Sequence, residues 1–188
     1  MKKQTVTGII LAGGASRRMG KDKGLCIYNS KELVRYSIDI LLPICDTILI
    51  STNNPEGYKK FGYKIIEDEF RGIGPIGGIF SCLKQSKSIH NLIVSCDTPF
   101  LNSSLLKHVL MVGQDWDIVV PQHANSYYEP LASYYSSNIL PALKESIKAN
   151  DYKLINLFSK VNFKAISVDE LPGSSSQFKN LNSPEDLT

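Results

Sequence analysis

The sequence predicts a single three-layer α/β/α domain over residues 1–188, with a mostly parallel β-sheet between two layers of helices. Strand-like and helix-like segments alternate along the chain, and this order is typical of a parallel sheet covered by helices. The 188 residues, 43% hydrophobic and 21% charged, provide enough apolar material for one sizeable core. A second full domain would not fit comfortably.

Each predicted element is bounded by residues that favour its start or its end. The first strand, 6–12, is an apolar run that leads into paired glycines. The helix that begins near Leu33 should end before Pro43, because proline cannot continue the helical hydrogen bonds. Asn102 or Ser103 can cap a later helix. Further strands or extended pieces are predicted at 25–28, 47–51, 64–66, 91–95, 118–120, 130–135 and 163–168, and further helices up to 83, at 138–149 and at 156–160.

Composition argues against several functional classes. The formal net charge of +3 is mild for a nucleic-acid-binding protein, so we expect no nucleic-acid partner. The four cysteines lie far apart and without histidines at metal-site spacing, which favours reduced thiols. No segment approaches the ~18 consecutive apolar residues of a membrane helix, and the N-terminus lacks the pattern of a secretion signal. We therefore expect no membrane partner and a cytoplasmic protein.

The first strand leads into a glycine-rich and basic loop at 13–24. Glycines let backbone N–H groups approach a ligand closely, and converging N–H groups attract anions. Four basic side chains follow, at Arg17, Arg18, Lys21 and Lys23. Arginine makes bidentate contacts with phosphate, whereas lysine acts as a compact point charge. The loop therefore predicts a phosphate-binding site, with an ordinary turn and a solvated basic edge as the alternative.

The spacing of this loop excludes two common phosphate-binding motifs. A Walker A loop has four residues between its first glycine and its Gly-Lys pair, followed by Ser or Thr. Here five residues separate Gly14 from Gly20, and Asp22 follows Lys21. The paired glycines also do not match the G-x-G-x-x-G fingerprint of dinucleotide-binding folds.

Asp97 is the candidate metal ligand. It follows the apolar run 92–94, where a carboxylate is costly to bury unless it is paired or bound to a metal. Ligands of open parallel sheets bind beyond the carboxyl ends of the strands, so this residue should lie near the phosphate loop. Carboxylates together with substrate phosphates commonly hold Mg²⁺, which is the cofactor we expect. The alternative is an aspartate that caps a helix ahead of Pro99.

Several motifs resemble, in order along nearly the whole chain, those of the molybdenum cofactor guanylyltransferases, the molybdopterin-guanine dinucleotide biosynthesis protein A family. The first is the loop LAGGASRRMGKDKGL. The later ones are Glu67-Asp68, GPIGG at 74–78, CDTPFL at 96–101, Glu129-Pro130-Leu131 and NLNSPEDL at 180–187. The resemblance implies a Rossmann-like domain of the nucleotide-diphospho-sugar transferase type, within the GT-A-like nucleotidyltransferase superfamily.

The resemblance also implies an activity: Mg²⁺-dependent transfer of GMP from GTP to the terminal phosphate of molybdopterin, with release of pyrophosphate. GTP and the molybdopterin cofactor are the implied partners, with transient contact to molybdenum cofactor insertion or carrier proteins. Lys23 and Asp97 are the expected catalytic residues. The expected nucleotide-binding residues are Leu11, Ala12, Gly13, Gly14, Arg17, Lys23, Ser51, Asn53, Asp68 and Asp97.

This sequence departs from the family pattern at one position. Ser51 stands where the family often has asparagine, and Asn53 follows two residues later, so either side chain could contact the nucleotide. Asn180 and Asn182 are candidates for contacts with the phosphates or with the water shell of the metal. We expect the three histidines to be isolated surface residues. Tyr127, Tyr128 and Trp116 could stack on a pterin, although such residues more often belong to the core.

Two alternatives to guanylyl transfer remain open from the sequence. A related nucleotidyltransferase could use CTP or another phosphorylated acceptor, and a module with this fold could bind nucleotides without turnover. Gly13 favours GTP, because guanylyl members of the resembled family carry Leu-Ala-Gly-Gly at this turn, whereas cytidylyl relatives tend to carry Leu-Ala-Ala-Gly. The absence of a Cβ at Gly13 should leave room for a purine and allow backbone conformations that alanine disfavours.

Overall fold

The computed structural model describes residues 4–13, 22–173 and 175–187, which build a seven-stranded sheet flanked by helices. The elements in chain order are β1 (Val6–Leu11), β2 (Ile27–Tyr28), β3 (Lys31–Glu32), α1 (Leu33–Leu41), β4 (Thr47–Ser51), α2 (Pro55–Tyr58), β5 (Lys64–Ile66), α3 (Pro75–Gln85), β6 (His90–Ser95), α4 (Ser103–Gly113), β7 (Ile118–Gln122), β8 (Ala132–Ser136), α5 (Leu140–Lys148), α6 (Leu154–Leu157) and β9 (Phe163–Ser167). Strands β2 and β3 form a separate small hairpin.

The strand order in the large sheet is β5-β4-β1-β6-β8-β7-β9. Strand β8 runs antiparallel to both of its neighbours, while the other pairings are parallel. This arrangement confirms the predicted mostly parallel α/β fold. Among the described residues, no helix is both long and apolar enough to cross a membrane.

The two helical layers follow from the alternation of side chains along the strands. Ile10, Ile50 and Val94 point to one face of the sheet and pack in a buried cluster with residues of α1 and α4. Ile9 and Ile93 point to the other face and pack with residues of α3, α5 and α6. Successive strand side chains alternate between faces, so these unbroken apolar runs supply both cores.

Some boundaries differ from those predicted. Gly77 and Gly78 lie inside α3 rather than in a flexible loop before it, because the helix already begins at Pro75, whose ring suits the first helical turn. The preceding Gly74 has a φ of 79°, which glycine adopts without strain. Strand β8 begins two residues later than predicted, because residues 129–132 form a turn in which Ala132 N donates to the Glu129 carbonyl.

Candidate active site

Four neighbouring strands end level with one another at the carboxyl edge of the sheet. Leu11 at the end of β1 pairs with Ser51 of β4 and with Ser95 of β6, and Ser51 pairs with Ile66 of β5. The residues that follow these ends are the predicted site residues, at 12–13, 52–53, 67–68 and 96–97. The structure thus brings together loops that are far apart in sequence.

Asp97 lies at the centre of this edge and is bound by Lys23. The Lys23 Nζ donates to Asp97 Oδ2 at 2.8 Å and to Asn182 Oδ1 at 2.7 Å. Both charged side chains are largely buried, with 17% and 18% of their surfaces exposed. The ion pair joins the end of the basic loop, the end of β6 and the C-terminal segment, where Leu181 N also donates to the Asp97 carbonyl.

The second carboxylate oxygen of Asp97 is available for a ligand. Asp97 Oδ1 is buried and has no hydrogen-bond partner among the described residues. A buried acceptor of this kind is costly unless something binds it, and a hard cation is a suitable ligand for a carboxylate oxygen. Asp97 therefore fits the predicted role of metal ligand. Within the described ranges, no group of three His, Cys, Asp or Glu side chains is arranged to hold a metal.

Asp68 accepts hydrogen bonds from Ser51 and Asn53, the two residues that the sequence left as alternative nucleotide contacts. Ser51 Oγ donates to Asp68 Oδ1 at 2.9 Å, and Asn53 Nδ2 donates to Asp68 Oδ2 at 3.3 Å. Ser51 is 2% exposed, whereas Asn53 is exposed to solvent. A Cβ on Gly78 would come within 2.5 Å of Ser51 Oγ and 3.3 Å of Asp68 Oδ1. Gly78 thus lets helix α3 approach this cluster closely.

The end of β1 provides backbone and space rather than charge. Ala12 N donates to the Ser51 carbonyl at 2.9 Å, and the Leu11 side chain is buried in the core. A Cβ added to Gly13 would lie 3.6 Å or more from its nearest neighbours, and the backbone there does not have a positive φ. The backbone part of our prediction for Gly13 is therefore wrong, and a Cβ at this position would make only ordinary van der Waals contacts with residues 51–53. Gly14 and Arg17, with Arg18 and Lys21, lie outside the described residues.

Comparisons with known proteins agree with this geometry. A family model described as "MobA-like NTP transferase domain" matches residues 8–162. The chain is 33% identical over 184 residues to a probable molybdenum cofactor guanylyltransferase of Flavobacterium johnsoniae, covering 98% of this chain and 95% of the relative. It is 36% identical over 183 residues to the molybdenum cofactor guanylyltransferase of Vibrio parahaemolyticus, covering 95% and 91%.

The chain belongs to the family of MobA-like NTP transferase domains. It is therefore a nucleotidyltransferase. The fold agrees with that of a solved structure, molybdopterin-guanine dinucleotide biosynthesis protein A from Archaeoglobus fulgidus, with a TM-score of 0.82 and 24% identity over 96% of this chain and 94% of the other.

Sequence reasoning missed several contacts in this MobA-like domain. Asp22 accepts hydrogen bonds from Tyr58 Oη at 2.5 Å and from Asn54 Nδ2 at 3.1 Å, although it stands directly before the predicted lysine. Asn182, predicted as a contact of the phosphates or of the metal's water shell, accepts a hydrogen bond from Lys23 that the sequence did not indicate. The position of Asp22 within the signature loop was the available signal, but its partners are 32 and 36 residues away.

The prediction that the histidines are isolated surface residues is wrong for two of them in this MobA-like domain. His90 is 8% exposed, and its Nδ1 lies 2.9 Å from Tyr134 Oη. His123 Nε2 lies 2.9 Å from Glu129 Oε1, beyond β7 at the same edge of the sheet as Asp97. Burial raises the pKa of the Glu129 carboxyl, and the negative charge of Asp97 raises this pKa further. The neighbouring His123 lowers this pKa. The strand pairing that buries these side chains is a tertiary feature.

Proposed function

We propose that this chain transfers GMP from GTP to the terminal phosphate of molybdopterin and releases pyrophosphate. The carrying observation is that relatives at 33% and 36% identity over nearly their whole lengths are named molybdenum cofactor guanylyltransferases. The site at the carboxyl edge of the sheet supports this proposal, since it combines a paired lysine and aspartate with a second carboxylate nearby. We further propose that residues 1–188 form one domain that acts in the cytoplasm.

Lys23 and Asp97 are the proposed catalytic residues. With a triphosphate bound, the Lys23 ammonium would exchange its contact with Asp97 for phosphate oxygens and stabilise the charge that develops during transfer. Lys23 is the first residue of the short turn Lys23–Leu25, at the end of the basic loop. An acceptor phosphate is already ionised near neutral pH, so the reaction needs alignment and charge neutralisation rather than a general base.

Asp97 is the proposed Mg²⁺ ligand, through the buried Oδ1 that lacks a partner in the described part of the chain. Bound Mg²⁺ would supply neutralising charge at the phosphates. Since one carboxylate cannot complete the coordination, substrate oxygens and water would provide the remaining ligands. In the structure the Lys23 ammonium, which also donates to Asn182, contacts the other carboxylate oxygen, Oδ2, and so does not occupy Oδ1.

The remaining proposed contacts are to the nucleotide. Asp68 has carboxylate oxygens that can accept N–H donors of a base or hydroxyls of a ribose, and Ser51 and Asn53 orient it. Gly13, which has no side chain between its backbone and a ligand, is the proposed contact of the purine. Leu11, Ala12, Gly14 and Arg17 complete the proposed set, with backbone groups from the first three and charge from the arginine.

The test is a nucleotide panel with the full chain. GTP, CTP and ATP are each incubated with Mg²⁺ and molybdopterin, and both pyrophosphate and the dinucleotide product are measured. We expect turnover with GTP that is lost on metal chelation and restored by added Mg²⁺. Preference for CTP would overturn the choice of base. Nucleotide binding without pyrophosphate release would instead identify a non-catalytic module.

A further inference from the structure

Asp22, the residue before Lys23, accepts three hydrogen bonds. Its Oδ1 accepts from Tyr58 Oη at 2.5 Å and from Gly24 N at 3.2 Å, and its Oδ2 accepts from Asn54 Nδ2 at 3.1 Å. Two of these donors are Asn54, which precedes helix α2, and Tyr58, the last residue of that helix. The side chain of Asp22 therefore links the turn that carries Lys23 to a segment 32–36 residues further along the chain.

Tyr58 is the rigid side of this contact. It is fully buried, and its ring packs against Phe61 with centroids 5.9 Å apart. Burial raises the pKa of the Tyr58 phenol, so the hydroxyl keeps its proton and donates to Asp22. The same hydroxyl lies 3.4 Å from the carbonyl oxygen of Ala12, so it contacts both the end of β1 and the start of the Lys23 turn.

The turn that carries Lys23 and the side chain of Tyr58 lie in close contact at Gly24. A Cβ on Gly24 would overlap the Tyr58 hydroxyl, so the turn and the tyrosine can meet only because this residue lacks a side chain. Lysine has a long flexible side chain, and the position of its backbone limits where its ammonium can act. The contact between Tyr58 and Asp22 therefore sets the point from which Lys23 reaches Asp97.

We propose that Tyr58 and Asp22 are positioning residues for nucleotidyl transfer, acting through Lys23 without touching the nucleotide. The proposal rests on the proposed role of Lys23 at the phosphates. Removing the Tyr58 hydroxyl would remove the shortest of the three hydrogen bonds to the Asp22 carboxylate and let the Lys23 turn shift. A shift of about 1 Å in a group that aligns reacting atoms can cost as much as ~100-fold in rate.

Tyr58→Phe is the test, because it removes one oxygen and keeps the buried ring. Tyr135→Phe is the matched control: Tyr135 is also fully buried, and its Oη donates to the Pro130 carbonyl at 3.0 Å rather than to a residue of the Lys23 turn. We expect kcat/KM for GTP to fall about 10- to 100-fold in Tyr58→Phe and less than about twofold in Tyr135→Phe. The dissociation constant for GTP and the thermal midpoint are measured alongside.

A double-mutant cycle separates positioning from general stability. In a Lys23→Ala background, Tyr58→Phe should cost less than about twofold more, because the residue that it positions is already gone. If the losses of kcat/KM from the two substitutions multiply in the double variant, the proposal is overturned. Asp22→Asn is the second variant, should Tyr58→Phe fold poorly, and it should show the same dependence on Lys23.

The outcomes distinguish this inference from the proposed function. A defective Lys23→Ala together with Tyr58→Phe and Asp22→Asn variants of wild-type kcat/KM would overturn the positioning role and leave the proposed function intact. A Lys23→Ala variant with unchanged GTP binding and turnover would overturn both roles, since no lysine would then need positioning.

Discussion

Replacing Asp97 with alanine should abolish activity while leaving the fold nearly as stable as before. Loss of the charge-assisted bond from Lys23 costs about 1.5–3 kcal/mol, whereas removal of the partnerless buried Oδ1 returns about 1–3 kcal/mol. The Lys23 ammonium retains its bond to Asn182 and some exposure to water. The two terms largely cancel, so we expect a net change of roughly 1 kcal/mol in either direction.

For a chain of this length, a change of 1 kcal/mol shifts the thermal midpoint by about 2–4 °C. Circular dichroism melts therefore measure the stability of Asp97→Ala, and Mg²⁺-dependent pyrophosphate release from GTP measures its activity. Asp151→Ala is the matched control, since Asp151 also pairs with a lysine, at 3.2 Å from Lys160 Nζ. The control should keep wild-type activity.

Two results would refute this reasoning. A folded Asp97→Ala protein with near-wild-type turnover would remove Asp97 from the metal and nucleotide roles. A midpoint lowered by 10 °C or more, beyond the roughly 2–4 °C expected per kcal/mol, would show that Asp97 is mainly structural.

Four further predictions concern single residues. Lys23→Ala should raise the dissociation constant for GTP in calorimetry, and Lys23→Arg should not restore it, because a planar fork does not replace a point charge; unchanged affinity in the alanine variant would contradict this. Gly13→Ala should lower GTP use in competition assays with little gain for CTP. Gly78→Ala should lower the thermal midpoint, because the added Cβ would lie 2.5 Å from Ser51 Oγ. Burial lowers the pKa of His90 below its usual 6.5, so its contribution to stability is complete above pH 6.5 and is lost as pH falls through the lowered value. His90→Gln should therefore flatten the decline of urea midpoints from pH 7.5 to pH 5, and an equally steep decline would rule out His90 as its source.

The fold class was accessible from sequence because it depends on local patterns. Alternating strand and helix signals, with apolar runs such as 92–94, require a sheet covered on both faces. The same patterns place polar residues after strand ends, and parallel strands bring their ends to one edge of the sheet. Asp68 and Asp97 could therefore be assigned to one site from the order of the predicted elements.

The tertiary structure decided which side chains touch. Strand register places Ser51 beside Asp68, and no local sequence pattern predicts this contact, because the two residues are 17 positions apart. The contacts of Lys23 with Asn182 and of Asp22 with Tyr58 span 159 and 36 residues. The sequence by itself determined the elements and the chemistry of their ends, because both depend on neighbouring residues. The partners of Lys23 and Asp22 depended on long-range packing, which only the assembled fold defines.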